Sequence, residues 1–353
     1  MNAAPDADFA FDPPADDPLG VLGSTAPVAE GAAHVRIAAA AVERFADERH
    51  AAAAEAGHGD PAAAPSLAED GLHCTFLPPR RRLNYLLALE ALNFCFWDEA
   101  PRWRVRWQGR AYDGYWALAA ALRRAVCEDA LPVWDARWLA GLDATRVAHL
   151  LRGEGRPVPL AEARLANLRE AGAVLLERWE GEFANLVAAC RGEAVALVRA
   201  LVAGFPSFRD EARWRGRPVR FYKRAQICAA DLARLLPDHP LGRLDGLERL
   251  TAFADYKVPQ VLRALGILLP APGLAGRIDR GVALPAGGEE EVELRAATVW
   301  ACEWIARALN RRAAPGAPPV TARAVDFLLW AAGQDGREAR GLPPYHRTRT
   351  IYY

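Results

Sequence analysis

Two short segments of this 353-residue chain combine aromatic and cationic side chains with groups able to act on a polar ligand, and they also hold its two lysines. Lys223 lies in the segment Phe221-Tyr222-Lys223-Arg224, and Lys257 lies in the segment that contains Asp255. The other 42 basic side chains are arginines, whose charge is fixed on a planar fork. A lysine amine is a compact charge with a movable pKa, so it can approach a phosphate or a reacting centre. Chance survival is the alternative interpretation for either lysine alone.

Asp255 stands four residues before Pro259, where an apolar helical pattern begins. The simple interpretation is a helix N-cap, because a carboxylate accepts hydrogen bonds from the first free N–H groups of a helix. The functional interpretation is a carboxylate that faces positive charge developing on a sugar ring, as in glycosyl transfer. The two roles are compatible. Its aromatic neighbours Phe253 and Tyr256 are candidate substrate contacts.

Lys223 and Arg224 begin another helical pattern, directly after Tyr222. Backbone N–H groups at a helix start, together with two cations, are suited to holding a phosphate monoester. We therefore predict phosphate binding around Lys223 and Arg224, with Tyr222 as a substrate contact. An ordinary solvent-facing helix cation is the alternative for Lys223.

Asp326 and Trp330 are four residues apart in an otherwise apolar helical pattern, so they share one face. A carboxylate that accepts two N–H donors and an indole that stacks would suit a purine-like base. An internal arginine is the alternative partner of Asp326, because a buried carboxylate needs one. His73, taken alone, is interpreted as a structural histidine.

Composition restricts the classes of function. Lys+Arg and Asp+Glu both number 44, so the chain lacks the basic excess typical of proteins that bind long nucleic acids. The six cysteines are spread out, and no ligand cluster has metal spacing. No run of about 18 apolar residues is present. We expect no metal, no cofactor, no nucleic-acid or membrane partner, and a monomeric cytoplasmic protein.

Helical periodicity dominates the chain and predicts a mainly α fold, with one or two small β-hairpins. The clearest strand signal is the alternating stretch Trp103–Trp107, which turns at Gln108-Gly109 into a hairpin; a second extended piece covers residues 213–219. We expect residues 1–27 to be a disordered acidic leader and residues 28–353 to form one large domain. The predicted helices cover residues 28–55, 83–97, 115–128, 143–152, 160–179, 182–203, 221–236, 258–268, 289–311 and 321–333.

Eight blocks, in this order, resemble the queuosine salvage protein family of queuosine 5′-phosphate N-glycosylase/hydrolases. Together they span about residues 70–353. The blocks are residues 92–97, 112–116, 205–210, 221–227, 253–262, 291–296, 326–330 and 346–353.

The resemblance implies a fold similar to helical DNA glycosylases and hydrolysis of queuosine 5′-phosphate, which releases queuine for reuse in tRNA modification. It implies that Asp255 is the catalytic carboxylate and that Lys223 lies near the ribose and phosphate. It further implies that His73, Phe253, Asp326 and Trp330 contact the deazaguanine base. Ala331 stands where some members carry an acidic residue, and Lys257 stands where some members carry arginine. The alternatives are a glycosylase acting on a base within nucleic acid and a non-catalytic carrier of queuine or its nucleotide.

Overall fold

The computed structural model describes residues 9–55, 71–334 and 341–353. It is mainly α-helical, as predicted, with fourteen α-helices and three small two-stranded sheets among these residues. Backbone contacts divide the chain into two compact units. The first comprises the described parts of residues 1–64, 211–223 and 248–348, and the second those of residues 65–210, 224–247 and 349–353. The expectation of one large domain stays a prediction.

A long helix, α13, forms the centre of the first unit. It is buried along most of its length, and it packs against both the helices and the strands of this unit. The helices of this unit are α1 (Val21–Glu30), α2 (Ala39–Glu55), α11 (Val258–Ala264), α12 (Pro272–Asp279), α13 (Glu289–Arg312) and α14 (Ala322–Ala332). Its strands are β1 (Val35–Ile37), β4 (Glu211–Trp214), β5 (Arg217–Arg220) and β6 (Leu268–Pro270). At 1.5 Å per residue, the 24 residues of α13 span about 36 Å.

The second unit is built around α3, in which every residue from Leu83 to Ala91 is buried. Asn84 ties this helix to its surroundings, donating to the carbonyl oxygens of Trp134 and Gly181 and accepting from the backbone of Phe183. The unit contains α3 (Pro79–Ala91), β2 (Arg104–Trp107), β3 (Arg110–Asp113), α4 (Gly114–Cys127), α5 (Ala136–Ala140), α6 (Ala144–Leu150), α7 (Ala161–Arg178), α8 (Phe183–Ala189), α9 (Ala194–Gly204) and α10 (Lys223–Leu235), whose first residue is grouped with the other unit.

The predicted hairpin at Gln108-Gly109 is present, and the predicted extended piece over residues 213–219 forms part of a second hairpin, β4–β5. The β2–β3 turn places Gln108 and Gly109 at φ of 46° and 79°, and the β4–β5 turn places Arg215 and Gly216 at 47° and 81°. Two consecutive left-handed residues form the turn whose twist matches that of the flanking strands, and glycine at the second position adopts it without steric cost. The third sheet, which pairs β1 with β6 across more than 200 residues, was not predicted.

Several predicted helices have different bounds in the structure. The segment 28–55 contains the end of α1, the strand β1 and then α2, and the segment 182–203 is split by left-handed residues at Arg191 and Gly192. Helices α5 and α12 were not predicted. None of the described helices is both long enough and apolar enough to cross a bilayer.

The described part of the acidic leader is more ordered than expected. Helix α1 covers residues 21–30, with Val21 and Val28 fully buried, and it packs against α13. Phe9 and Phe11 lie 5.3 and 4.8 Å from Trp304, measured between ring centroids. These apolar side chains give the segment enough burial to order it despite its aspartates. Residues 1–8 lie outside the described residues.

Candidate active site

The first unit brings together Asp255, Asp326 and Lys223, which are far apart in the sequence. All three side chains are buried, with 7%, 4% and 6% of their surface exposed. The ammonium group of Lys223 acts electrostatically on both carboxyl groups and favours their ionised forms. Two acids and one cation in a low-dielectric interior are an arrangement typical of catalytic sites.

Asp255 lies at the start of α11, as its sequence position predicted. Its Oδ1 accepts hydrogen bonds from the backbone N–H groups of Lys257 at 2.7 Å and Val258 at 2.9 Å. Burial raises the pKa of Asp255, and Lys223 together with these two N–H groups opposes that rise. One carboxylate oxygen of Asp255 therefore binds two backbone N–H groups at the start of the helix.

Asp326 is anchored to the same loop. Its Oδ1 accepts a hydrogen bond from the backbone N–H of Phe253 at 2.9 Å, two residues before Asp255. Burial and the negative charge of Asp255 raise the pKa of Asp326 to about 8. The two acids thus differ in hydrogen bonding, since Asp255 accepts two backbone N–H groups and Asp326 accepts one. Asp255 is therefore the acid that ionises more readily.

Three aromatic candidates lie near the two acids along the chain, two of them close to Asp255 and one after Asp326 on α14. Phe253 and Trp330 are half-buried. Trp330 lies one turn after Asp326 on α14. Tyr256 is buried, and its ring centroid is 5.0 Å from that of Tyr345. The ammonium of Lys257 lies 5.2 Å from the centroid of the same Tyr345 ring.

Tyr222 occupies a left-handed backbone conformation, with φ of 52°, directly before Lys223. This region is uncommon for a residue with a side chain and persists where the surroundings enforce it. Its hydroxyl donates a 2.5 Å hydrogen bond to Glu211, and burial together with this acid raises the pKa of the tyrosine. The bend ends the extended path of β5 and starts α10 at Lys223.

His73 and Arg224 belong to the second unit. Nε2 of His73 lies 2.8 Å from the Tyr115 hydroxyl. The Arg224 guanidinium donates to the carbonyl oxygens of Glu90 and Ala91 at 2.9 Å and also to that of Ser207. Burial lowers the pKa of Arg224 to about 10. The guanidinium N–H groups that make these hydrogen bonds are therefore engaged within the second unit. Phosphate contact by Arg224 stays a prediction.

Sequence reasoning gave no role to Arg295, although it stands in one of the blocks that carried the resemblance. This buried residue of α13 donates from Nε to the carbonyl oxygen of Ala254 at 3.1 Å, and its guanidinium carbon lies 3.9 Å from the centroid of the Phe221 ring. Burial and the Arg295 charge lower the pKa of His346 to about 3. The signal available in the sequence was the position of Arg295 within the apolar pattern of the predicted helix 289–311.

One group of side chains in the described residues has the spacing to hold a metal ion, namely His34, Glu289 and Glu293. Its two acids already have partners. Glu293 accepts hydrogen bonds from the backbone of His34 at 2.7 Å and from Nε1 of Trp214 at 3.1 Å. Glu289 pairs with Arg215 at 2.9 Å. A guanidinium beside the group disfavours a second cation there.

Comparison with known proteins gives a consistent result. The family model described as "Queuosine salvage protein" matches residues 74–353. A Sphaerobacter thermophilus protein named queuosine 5′-phosphate N-glycosylase/hydrolase is 52% identical, over 76% of this chain and 81% of its own length. Proteins of the same name from Mus musculus and Schizosaccharomyces pombe are 37% and 30% identical, each over 77% of this chain and over 82% and 83% of their own lengths. This chain therefore belongs to the queuosine salvage protein family.

Proposed function

We propose that this protein hydrolyses the N-glycosidic bond of queuosine 5′-phosphate and releases queuine. The observation that carries this proposal is the buried pair of Asp255 and Asp326 beside Lys223, in a chain whose relatives carry that activity in their names. In the reaction the bond between C1′ of ribose and the base nitrogen breaks. Water supplies a hydroxyl to C1′ and a proton to the base, so the products are ribose 5-phosphate and queuine.

Asp255 is the proposed catalytic carboxylate. Its second oxygen faces the C1′ side of the ribose in this proposal, where positive charge develops as the base departs. A carboxylate fixed before the reaction begins stabilises that charge without reorganising. The two hydrogen bonds from Lys257 and Val258 hold Asp255 in place, and the charge of Lys223 favours its ionised form.

Asp326 and Trp330 are the proposed contacts of the deazaguanine base, with Phe253 and Tyr256 beside them. A guanine-type edge presents a ring N–H and an amino group, and one carboxylate can accept both. An adenine-type edge presents an acceptor in place of the ring N–H, which would meet the carboxylate unfavourably. Stacking on the half-exposed Trp330 adds about 1–3 kcal/mol per base. His73 is a further proposed base contact on the strength of the family resemblance.

The decisive experiment incubates the purified protein with queuosine 5′-phosphate and detects free queuine by mass spectrometry. We expect repeated turnover by the native protein and almost none by Asp255→Asn. Binding of the nucleotide without release of queuine would instead identify a carrier. Release of a base from tRNA or DNA oligonucleotides, but not from the free nucleotide, would identify a nucleic-acid glycosylase.

Recognition of the 5′-phosphate is the part of the proposal that involves Lys223. A monophosphate offers anionic oxygens that charge-assisted hydrogen bonds can hold and use for positioning. We expect queuosine 5′-phosphate to be cleaved much faster than queuosine, and Lys223→Met to reduce that ratio. The ratio of kcat/KM for the two substrates is the measurement. Equal rates on both substrates in the native protein would contradict phosphate recognition while leaving hydrolysis intact.

A further inference from the structure

Arg295 contacts the two segments that carry Lys223 and Asp255. Its guanidinium carbon is 3.9 Å from the centroid of the Phe221 ring, and Phe221 stands two residues before Lys223. Its Nε donates at 3.1 Å to the carbonyl oxygen of Ala254, the residue directly before Asp255. The side chain is 2% exposed, so solvent does not compete for these contacts.

We propose that Arg295 is a positioning residue that fixes the Lys223 segment and the Asp255 segment relative to each other. The proposal rests on the hydrolytic function proposed above. Arg295 is well placed for this role because it lies on α13, the central helix of the unit, whereas the two segments it contacts are short connections. Because both segments contact one residue of a rigid helix, their positions relative to each other are fixed.

The backbone before Lys223 needs such support. Tyr222 is held in the left-handed region, a conformation that persists only when neighbouring contacts determine it. The first such contact is the hydrogen bond that the Tyr222 hydroxyl donates to the Glu211 carboxylate. The second contact is made by the adjoining residue, since the Phe221 ring packs against the Arg295 guanidinium. Loss of the second contact should allow the Lys223 side chain to move relative to Asp255.

Only arginine has the shape that these contacts require. A guanidinium stacks on an aromatic ring with its face and donates hydrogen bonds from its edge at the same time, whereas an ammonium is a point charge without a face. The Glu291 carboxylate lies 3.7 Å from Nη1 of Arg295 and compensates part of its buried charge. Lysine at this position would retain a charge near Glu291 but would lose the stack on Phe221.

The test compares Arg295→Lys and Arg295→Met with Thr298→Val as the matched control. Thr298 is a fully buried residue of the same helix, and its hydroxyl donates a hydrogen bond to the local Leu294 carbonyl oxygen at 2.7 Å. We expect kcat for queuosine 5′-phosphate to fall about 100-fold in both Arg295 variants, the loss typical of a misplaced catalytic group. KM should change less than kcat, because Asp326 and Trp330, two of the proposed base contacts, lie on α14 and outside the two segments that Arg295 contacts. The control should retain native kcat.

A second readout reports directly on Arg295. The pKa of His346 should rise in Arg295→Met, where the neighbouring positive charge is lost, and stay low in Arg295→Lys. Proton NMR of the histidine ring measures it. If Arg295→Met does not fold, Phe221→Leu removes the same stack from the other side, and its kcat should fall as well.

A double-mutant cycle on Arg295→Lys and Phe221→Leu decides between positioning and general packing. If the stack is what orders the Lys223 segment, the double variant should be no slower than the slower single variant. Additive losses, or kcat values equal to that of the control, would overturn the proposal. An inactive native protein would instead overturn the proposed function, so the two failures are distinguishable.

Discussion

At the scale of single residues, the candidate site depends on how three buried charges share one environment. Burial alone raises the pKa of both Asp255 and Asp326, since an ionised carboxylate is poorly solvated inside a protein. Lys223 and two backbone N–H groups favour the anion at Asp255, and that anion in turn disfavours a second one at Asp326. The arrangement therefore makes Asp255 the more acidic and Asp326 the more basic carboxyl group of the pair.

Asp255→Asn is the sharpest test of the catalytic assignment. The amide oxygen can still accept hydrogen bonds from Lys257 and Val258, so the start of α11 should survive while the charge is lost. We expect kcat to fall on the order of a hundredfold or more, because fixed electrostatic stabilisation of the transition state disappears. Circular dichroism and thermal unfolding provide the folding control. A folded Asp255→Asn protein with most of its activity would show that this carboxylate is not catalytic.

Binding of free queuine should depend on pH through Asp326. In the ligand-free protein its pKa is about 8, and the charged groups that act on it are Asp255, Lys223 and Arg323. The Cys302 thiol also lies close enough to interact with it electrostatically. In the proposed binding mode the ionised form of Asp326 accepts the N–H groups of the base, so protons compete with binding below this pKa. Affinity should rise by up to tenfold per pH unit between pH 6 and 8, then level off.

Calorimetric titration of queuine at pH 6, 7, 8 and 9 measures this dependence. Asp326→Asn is the matched control, because it keeps an acceptor for the Phe253 N–H and cannot ionise. It should bind more weakly and show only the pH dependence of queuine itself. An affinity that falls as pH rises toward 8 in the native protein would mean that Asp326 binds the base as a neutral acid.

At the scale of elements, short segments hold the site and a long helix supports them. Asp326 and Trp330 share one face of α14, an eleven-residue helix that packs against α11 and α13. Asp255 and Lys223 lie at the beginnings of α11 and α10. Side chains at helix starts are placed by the cap geometry, so the integrity of these caps bears on the site.

Thr321 caps α14, accepting a hydrogen bond at its side-chain oxygen from the backbone N–H of Ala324 at 3.2 Å. Thr321→Ala removes this acceptor and should lower the free energy of unfolding by about 1 kcal/mol. Thr321→Ser keeps the hydroxyl and should remain close to native. Urea unfolding of the three proteins gives the comparison. Equal stability of the alanine and serine variants would show that the cap contributes little.

At the scale of the whole chain, arginines serve as internal cross-links as well as surface charges. Arg164 is fully buried, with hydrogen bonds to the carbonyl oxygens of Pro159 at 2.9 Å and Phe94 at 2.6 Å, and its guanidinium carbon lies 4.4 Å from the centroid of the Phe94 ring. A guanidinium can satisfy several carbonyl groups in one plane, which an ammonium cannot.

Chelation should leave activity unchanged. The proposed chemistry uses side chains alone, and the His34, Glu289 and Glu293 group is occupied by hydrogen bonds and an ion pair with Arg215. Rates of queuine release before and after treatment with EDTA provide the measurement, and addition of Mg²⁺ or Zn²⁺ to the treated protein is the control. Loss of activity that a divalent ion restores would reveal a metal requirement.

The sequence determined the features that depend on neighbouring residues. The Gln108-Gly109 hairpin, most of the helices, the position of Asp255 at a helix start and the shared face of Asp326 and Trp330 were all predicted, because turn chemistry and helical periodicity act over a few residues. The family followed from blocks of residues in order, and comparison confirmed it.

Tertiary structure decided what depends on contacts between distant segments. The β1–β6 pairing, the coupling of Lys223 with Asp255 and Asp326, and the contacts of Arg295 each join residues that are tens to hundreds of positions apart. Local preference carries no information about such pairs, since they form only when burial of the whole core brings the segments together. The acids were visible in the sequence, whereas the shift of the Asp326 pKa to about 8 arises from burial and from a neighbouring charge that only the folded chain supplies.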